Sequence, residues 1–151
     1  MPGKSKVFFV NAVLALLLSC GKRHQVFESN CNEGISFKKV AFTELTTHLE
    51  KYDKQYVEVT GKYVEGYEQS ALFNDSLFAD HSLKKALWIN FSQDCPLYLT
   101  GTRIGLFEYN NGTFTQIDKR YITIKGKVNM RNTGYLNKYR GALDKVSYIK
   151  L

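Results

Sequence analysis

The side chains with the greatest capacity for chemistry are three cysteines and three histidines: Cys20, Cys31, Cys95, His24, His48 and His81. No two of the cysteines have the C-x-x-C spacing of a metal or redox site, and the histidines are scattered along the chain. We therefore expect no metal site and no cofactor. The G-x-S-x-G, H-E-x-x-H and P-loop motifs of common enzyme classes are also absent from the sequence. These observations predict that the chain is not an enzyme.

One catalytic alternative remains. Asp75, Asp80 and His81 fall in one polar stretch, and Cys95 stands beside Asp94. A reactive thiol needs a base or a cation that lowers its pKa, and no histidine lies near Cys95 in the sequence. An enzyme would therefore need a pocket that brings Cys95, His81 and one of the two aspartates together, which we rank last among the alternatives.

The first twenty residues have the order of an export signal. Lys4 and Lys6 supply positive charge, an apolar run follows over residues 7–18, and Ser19 precedes Cys20. The run is about 12 residues long, which suits a signal peptide and is too short to span a bilayer as a helix. We therefore expect residues 1–19 to be removed as a signal peptide.

The sequence LLSC at residues 17–20 resembles a bacterial lipobox. The resemblance implies that a diacylglyceryl group is attached to the Cys20 sulfur and that the chain is cut before Cys20. Acyl chains of this kind anchor a protein to a membrane, so the expected partner is a membrane in the bacterial cell envelope. Gly21 after the cysteine is compatible with sorting to the outer membrane. If the chain is exported to an oxidising compartment, Cys31 and Cys95 either form a disulfide or remain buried thiols, and the sequence leaves both open.

The rest of the chain is basic, and its patterns predict mainly β-structure. After removal of the signal peptide, 19 basic and 14 acidic residues remain, a net charge of +5. Residues 20–35 begin with the cysteine expected to be lipidated and are mostly polar. We expect the rest of this segment to form a flexible spacer. An apolar stripe predicts a short helix over residues 43–52. Alternating patterns predict strands at residues 56–63 and 121–128, each with an interior glycine.

Three further strands are predicted at residues 70–73, 86–91 and 139–149. Residues 93–119 are open between a hairpin, with its turn at residues 110–112, and a helix. Five strands, of which the first and fourth are bent at glycine, resemble an OB-fold. The stretches YVEVTGKYVEGYEQSALF, ALWINF, YITIKGKV and YRGALDKVSYI are similar to small bacterial lipoproteins with an OB-fold-like domain, over roughly residues 37–151.

The expected domain, residues 36–151, is thus mainly β: a small five-stranded OB-like barrel with one or two short helices. OB barrels bind ligands on the outer face of the second and third strands and on the flanking loops. Mapped onto this sequence, that region contains the predicted ligand-binding residues Trp88, Tyr63, Tyr67, Arg131, Tyr135, Lys138, Tyr139 and Arg140. Aromatic rings among cations suit a stacked base, a sugar ring or a polyanion. The alternative is that these side chains only cover the barrel ends.

The sequence therefore predicts a lipid-anchored, non-enzymatic binding or interaction module of the cell envelope. Its partner would be an envelope protein or a polyanionic ligand. The main alternative is a barrel that binds oligonucleotides or other polyanions, since OB-folds often do so. Export argues against nucleic acid as the ligand, and a fold does not by itself determine a function.

Overall fold

The structure, a computed structural model, describes residues 24–108 and 115–151 and is mainly β. The predicted signal peptide, the lipidation site Cys20 and the predicted turn at residues 110–112 lie outside the described residues. The described strands are β1 (Val26–Glu28), β2 (Lys38–Lys39), β3 (Tyr56–Gly66), β4 (Gln69–Phe73), β5 (Leu87–Ile89), β6 (Tyr98–Leu99), β7 (Tyr121–Asn129) and β8 (Gly141–Lys150).

Five of these strands close into a barrel. Strand β3 pairs with β4, β4 with β5, β5 with β8, β8 with β7, and β7 returns to β3. The β5–β8 pair is parallel and the other four are antiparallel. This is the connectivity of an OB-fold, and it confirms the predicted five-stranded OB-like barrel.

Strand β3 shows how the sequence builds the barrel. Val57, Val59 and Tyr63 alternate into the core and are at most 1% exposed. Gly61 shares their face at the point where β3 exchanges partners, pairing with β7 before it and with β4 beyond it. A Cβ at Gly61 would lie 2.6 Å from the carbonyl oxygen of Phe73. Glycine therefore permits the close approach of β3 and β4 in this bend.

Two short helices pack against the barrel. Helix α1 (Phe42–Thr47) and helix α2 (Leu49–Tyr52) are separated by His48, whose backbone leaves the helical region. The apolar stripe predicted one helix here, so the structure breaks that helix once. The stripe residues are all buried: Phe42, Leu45, Leu49 and Tyr52. In the described part of the chain, no helix has both the length and the apolar character needed to cross a membrane.

The prediction of a flexible spacer through residue 35 is wrong for its described part. Strand β1 lies between β8 and β6, and Phe27 is completely buried. The side chain of Asn32 is also buried and donates a 2.7 Å hydrogen bond to the carbonyl oxygen of Lys145. The sequence did not indicate this strand, because the segment is mostly polar and the one buried residue of β1 cannot produce an alternating pattern.

The segment of uncertain type, residues 93–119, contains the short strand β6, which continues the sheet from β1. Residues 106–108 form a turn, although the hairpin alternative required a strand there. Residues 115–120 also form turns and lead into β7. The described parts of the segment contain no helix. The choice between hairpin and helix for residues 109–114 falls outside the described residues.

Candidate functional site

The outward face of β4 and β5, where OB barrels commonly bind, is centred on Trp88. The alternation of β5 places Leu87 and Ile89 in the core and Trp88 on the opposite face. The ring of Tyr139, from the connection between β7 and β8, packs on Trp88 with centroids 5.2 Å apart. At Gly134 the backbone passes so close that an added Cβ would lie 2.8 Å from the indole ring. The β7–β8 connection therefore lies directly against Trp88.

This contact belongs to a second hydrophobic cluster on the outside of the barrel. Its buried members are Ala71, Phe73, Ala86 and Tyr139, with Val64, Leu83 and Trp88 packed against them. Part of the expected binding face is thus filled by the protein's own side chains. The cover comes from the β7–β8 connection.

On the other side of Trp88 the same face forms a cleft of about 390 Å³, which we call the Trp88 cleft. Its described lining residues are Tyr63, Glu65, Gly66, Gln69, Ser70, Trp88, Ile89, Asn90, Phe91, Phe107 and Thr115. The ring of Phe91 stands edge-on between Tyr63 and Phe107, with centroid distances of 6.0 Å and 5.1 Å. Three aromatic rings therefore form an apolar wall beside Trp88.

Polar groups at one side of the Trp88 cleft are held in place by a hydrogen-bond network. The Glu65 carboxylate accepts from the hydroxyl of Thr115 at 2.8 Å, from the backbone N–H of Thr115, and from the hydroxyl of Tyr63 at 3.2 Å. The Ser70 hydroxyl lies 3.1 Å from the Tyr63 hydroxyl and donates to the carbonyl oxygen of Ile89 at 2.8 Å. Burial, with the nearby carboxylates of Glu65 and Asp118, raises the pKa of Tyr63 above its usual value.

Only part of the predicted binding set meets at this face. Trp88 lines the cleft, whereas Tyr139 packs against the indole outside the cleft and is only 6% exposed. Tyr63 is a core residue at 1% exposure, so it does not offer its ring on the surface. Its position on the same side of β3 as Val57 and Val59 already indicated burial. Tyr63 also lines the Trp88 cleft, and its role in ligand binding stays a prediction.

Two other members of the set lie at the tips of neighbouring loops. Tyr67, in the β3–β4 turn, is 94% exposed. Tyr135 lies in the β7–β8 connection, and the nearby Glu68 carboxylate of the β3–β4 turn raises the pKa of Tyr135. The Lys138 ammonium lies 5.8 Å from the centroid of the Tyr135 ring. These contacts bring the β3–β4 turn and the β7–β8 connection together, as in an OB-fold.

The two predicted arginines lie elsewhere. Arg140 turns back to the helices, where its Nε donates to the carbonyl oxygen of Thr46 at 3.1 Å and its guanidinium lies 3.9 Å from Glu50. Arg131 is exposed beyond the end of β7. Neither arginine lines the Trp88 cleft. The sequence placed both in the right connection but could not show which way their side chains point.

Nine lining residues of the Trp88 cleft were not predicted as binding residues, among them Glu65, Gln69, Asn90, Phe91 and Phe107. Phe91 continues the alternation of Leu87 and Ile89, so its sequence pattern indicated a core residue. Phe107 lies in the segment whose structure the sequence left open. No local pattern marked Glu65, because its partner Thr115 is 50 residues away in the sequence.

The other candidates for chemistry in the described residues are the two cysteines and the possible metal ligands. Cys31 and Cys95 form a disulfide, with their Cα atoms 5.3 Å apart. The Cys95 sulfur is therefore not a free thiol, and the Cys/His/Asp alternative lacks its nucleophile. Across residues 24–108 and 115–151, no group of three His, Cys, Asp or Glu side chains is placed to hold a metal ion.

The fold defines the class of this chain: a five-stranded OB-like barrel with an added N-terminal strand, a disulfide and a hydrophobic cluster on the outer face around Trp88. Comparisons with protein-family models, with curated proteins and with solved structures found no match.

Proposed function

We propose that this chain is a lipid-anchored lipoprotein of the bacterial cell envelope whose barrel binds a ligand in the Trp88 cleft without catalysing a reaction. The observation that carries the proposal is the order of charge, apolar run and LLSC in residues 1–20. The folded domain follows closely, because Val26 at the start of β1 comes six residues after Cys20. This order is typical of a domain attached to a lipidated cysteine.

The disulfide supports export. Disulfides persist in oxidising compartments such as the bacterial periplasm and are rare in the cytosol. The bond joins the segment after β1 to the segment before β6. It therefore holds the N-terminal part of the domain against the barrel, where a membrane tether would pull on it.

The lining of the Trp88 cleft favours an uncharged sugar ring as ligand. Sugar rings stack their apolar faces on aromatic side chains and offer hydroxyl groups to polar ones. Trp88, Phe91 and Phe107 provide the aromatic surface. Gln69, Asn90 and Glu65 provide the polar atoms. The described lining contains no Lys or Arg, which argues against a polyanion in this cleft.

Mass spectrometry of the protein purified from membranes tests the anchor. We expect a chain that begins at Cys20 and carries the mass of a diacylglyceryl group, and a Cys20→Ser variant that stays in the soluble fraction. A native protein with an intact Met1 and an unmodified Cys20 would refute lipidation.

Fluorescence tests the ligand class, because Trp88 is the single tryptophan of the chain. A titration with an N-acetylglucosamine trimer as the probe should change the Trp88 emission and saturate. A thymidine oligonucleotide should leave the emission unchanged at the same concentrations. If only the oligonucleotide binds, with an affinity that falls steeply as salt is added, the alternative of a polyanion-binding barrel is correct.

Two matched variants locate the binding. Phe107→Ala removes an aromatic wall that is 49% exposed, so the barrel should fold normally while the fluorescence response weakens. Tyr67→Ala removes an aromatic ring outside the cleft and should bind as the unmodified protein does. Equal loss in both variants would show that the response does not come from the Trp88 cleft.

A further inference from the structure

The N-terminal residues of the described chain are fixed at one end of β8. Strands β1 and β8 are antiparallel, so the start of β1 lies beside the end of β8. His24 Nδ1 donates to the carbonyl oxygen of Leu151 at 2.9 Å, and the Leu151 N–H donates to Gln25 at 2.9 Å. A tether from Cys20 would therefore reach the barrel at this end.

The connection to the anchor is short. His24 follows Cys20 by four residues, and four residues span at most about 14 Å even when fully extended. Their length is less than that of β8, which covers roughly 30 Å from Gly141 to Lys150. A lipid on Cys20 would therefore hold the His24 end of the barrel at the headgroup layer.

The surface at that end is concave, with a volume of about 950 Å³. We call it the tether surface. Its lining residues are His24, Gln25, Val26, Glu28, Leu99, Thr100, Arg120, Tyr148 and Leu151. Arg120 is exposed, and Glu28 is the acidic residue of the lining. Lys119 directly precedes Arg120 in the turn before β7, and Lys150, the last residue of β8, pairs with Thr123 near the start of β7. Lys22 and Arg23 come directly before His24 in the sequence.

We propose that the tether surface lies against the bilayer and that Lys119, Arg120 and Lys150 contact the phosphates of anionic lipid headgroups. The inference rests on the proposed lipidation of Cys20, which supplies the short tether. Basic side chains close to an anionic membrane are attracted to it, and the attraction falls off over about a Debye length. The β7–β8 connection, with Tyr135 and Lys138, lies at the far end of β8 and faces away from the membrane. The Trp88 cleft borders that connection and remains accessible to a ligand.

Lysine labelling of the full-length lipidated protein in vesicles tests this orientation. A membrane-impermeant amine reagent is applied to protein in phosphatidylcholine vesicles, with and without phosphatidylglycerol, and to protein in detergent. We expect Lys119 and Lys150 to lose labelling in the vesicles relative to detergent, with the larger loss when phosphatidylglycerol is present. Lys138 should label equally in all three samples.

Matched charge reversals test the role of the cations. Arg120→Glu should reduce the additional protection that phosphatidylglycerol gives to Lys119 and Lys150. Lys138→Glu makes the same charge change at the other end of β8 and should leave that protection intact. Both positions are exposed, so neither change should affect folding.

The outcomes separate this inference from the proposed function. A lipidated Cys20 with equal labelling of Lys119, Lys150 and Lys138 would overturn the orientation and leave the anchor standing. Protection of Lys138 alone would show that the opposite end faces the bilayer. A mass spectrum with an unmodified Cys20 would overturn both.

Discussion

The aromatic ring of Tyr139 lies 5.2 Å from that of Trp88, which places a loop residue on the strand face where OB barrels bind. The contact divides that face into a part filled by the outer hydrophobic cluster and the open Trp88 cleft. The barrel therefore keeps the common topology while its open surface shifts towards Phe91 and Phe107.

Gly134→Ala should destabilise the protein by about 2–3 kcal/mol in urea unfolding. The residue has a φ of +65°, and an added Cβ would lie 2.7 Å from Tyr139 and 2.8 Å from Trp88. Gly101→Ala is the control: its φ is +76°, but no atom lies within 4 Å of the added Cβ. That change should cost only about 1 kcal/mol, the conformational part. Equal costs would show that the β7–β8 connection does not press against Trp88.

Reduction of the Cys31–Cys95 disulfide should lower the free energy of unfolding by about 4 kcal/mol, because the bond closes a loop with a sequence separation of 64 residues. The comparison is thermal unfolding with and without dithiothreitol. A Cys31→Ser/Cys95→Ser double variant should unfold at the temperature of the reduced protein and should not respond to the reductant. An unchanged melting temperature on reduction would contradict the predicted stabilisation.

Tyr63→Phe should make the alkaline loss of stability shallower. Burial raises the pKa of Tyr63, so the folded protein keeps the phenolic proton while the unfolded chain ionises near pH 10. The stability from this difference is complete below about pH 10 and is lost as the pH rises, by at most about 1.4 kcal/mol per pH unit.

Urea unfolding at neutral and alkaline pH measures the Tyr63 effect. At neutral pH the phenylalanine variant should lose about 1 kcal/mol, since the hydrogen bond from the Tyr63 hydroxyl to Glu65 disappears. Tyr67→Phe, at a residue that is 94% exposed, should retain the alkaline slope of the unmodified protein. A slope that is unchanged in Tyr63→Phe would show that Tyr63 ionises normally in the folded state.

Asp144→Ala should destabilise the barrel by about 3 kcal/mol. The Asp144 carboxylate accepts hydrogen bonds from the side-chain amides of Asn90 at 3.0 Å, Asn129 at 2.6 Å and Asn132 at 3.1 Å. It therefore joins β5, β7 and the β7–β8 connection. Asn90→Ala removes one of the three bonds and should cost about 1 kcal/mol in the same urea experiment. If Asp144→Ala cost no more than Asn90→Ala, the carboxylate would not act as a shared acceptor.

The sequence determined the barrel strands because their signals are local. The alternation of Val57, Val59 and Tyr63 is written in adjacent residues, as is the glycine at the β3 bend. The same alternation already implied that Tyr63 is buried, although its aromatic character suggested a binding role. The charge, apolar run and LLSC that predict a signal peptide and a lipid anchor also stand in neighbouring residues, and that proposal does not depend on the fold.

The tertiary structure alone decided the contacts between distant segments. Strand β1 has too few residues to show a period, and it forms because β8 and β6 offer it backbone hydrogen bonds. Cys31 and Cys95 meet because that pairing places their segments side by side. The backbone turn at Gly134 brings Tyr139 over Trp88. No local pattern encodes such contacts, since each depends on how strands far apart in the sequence are positioned by the closed barrel.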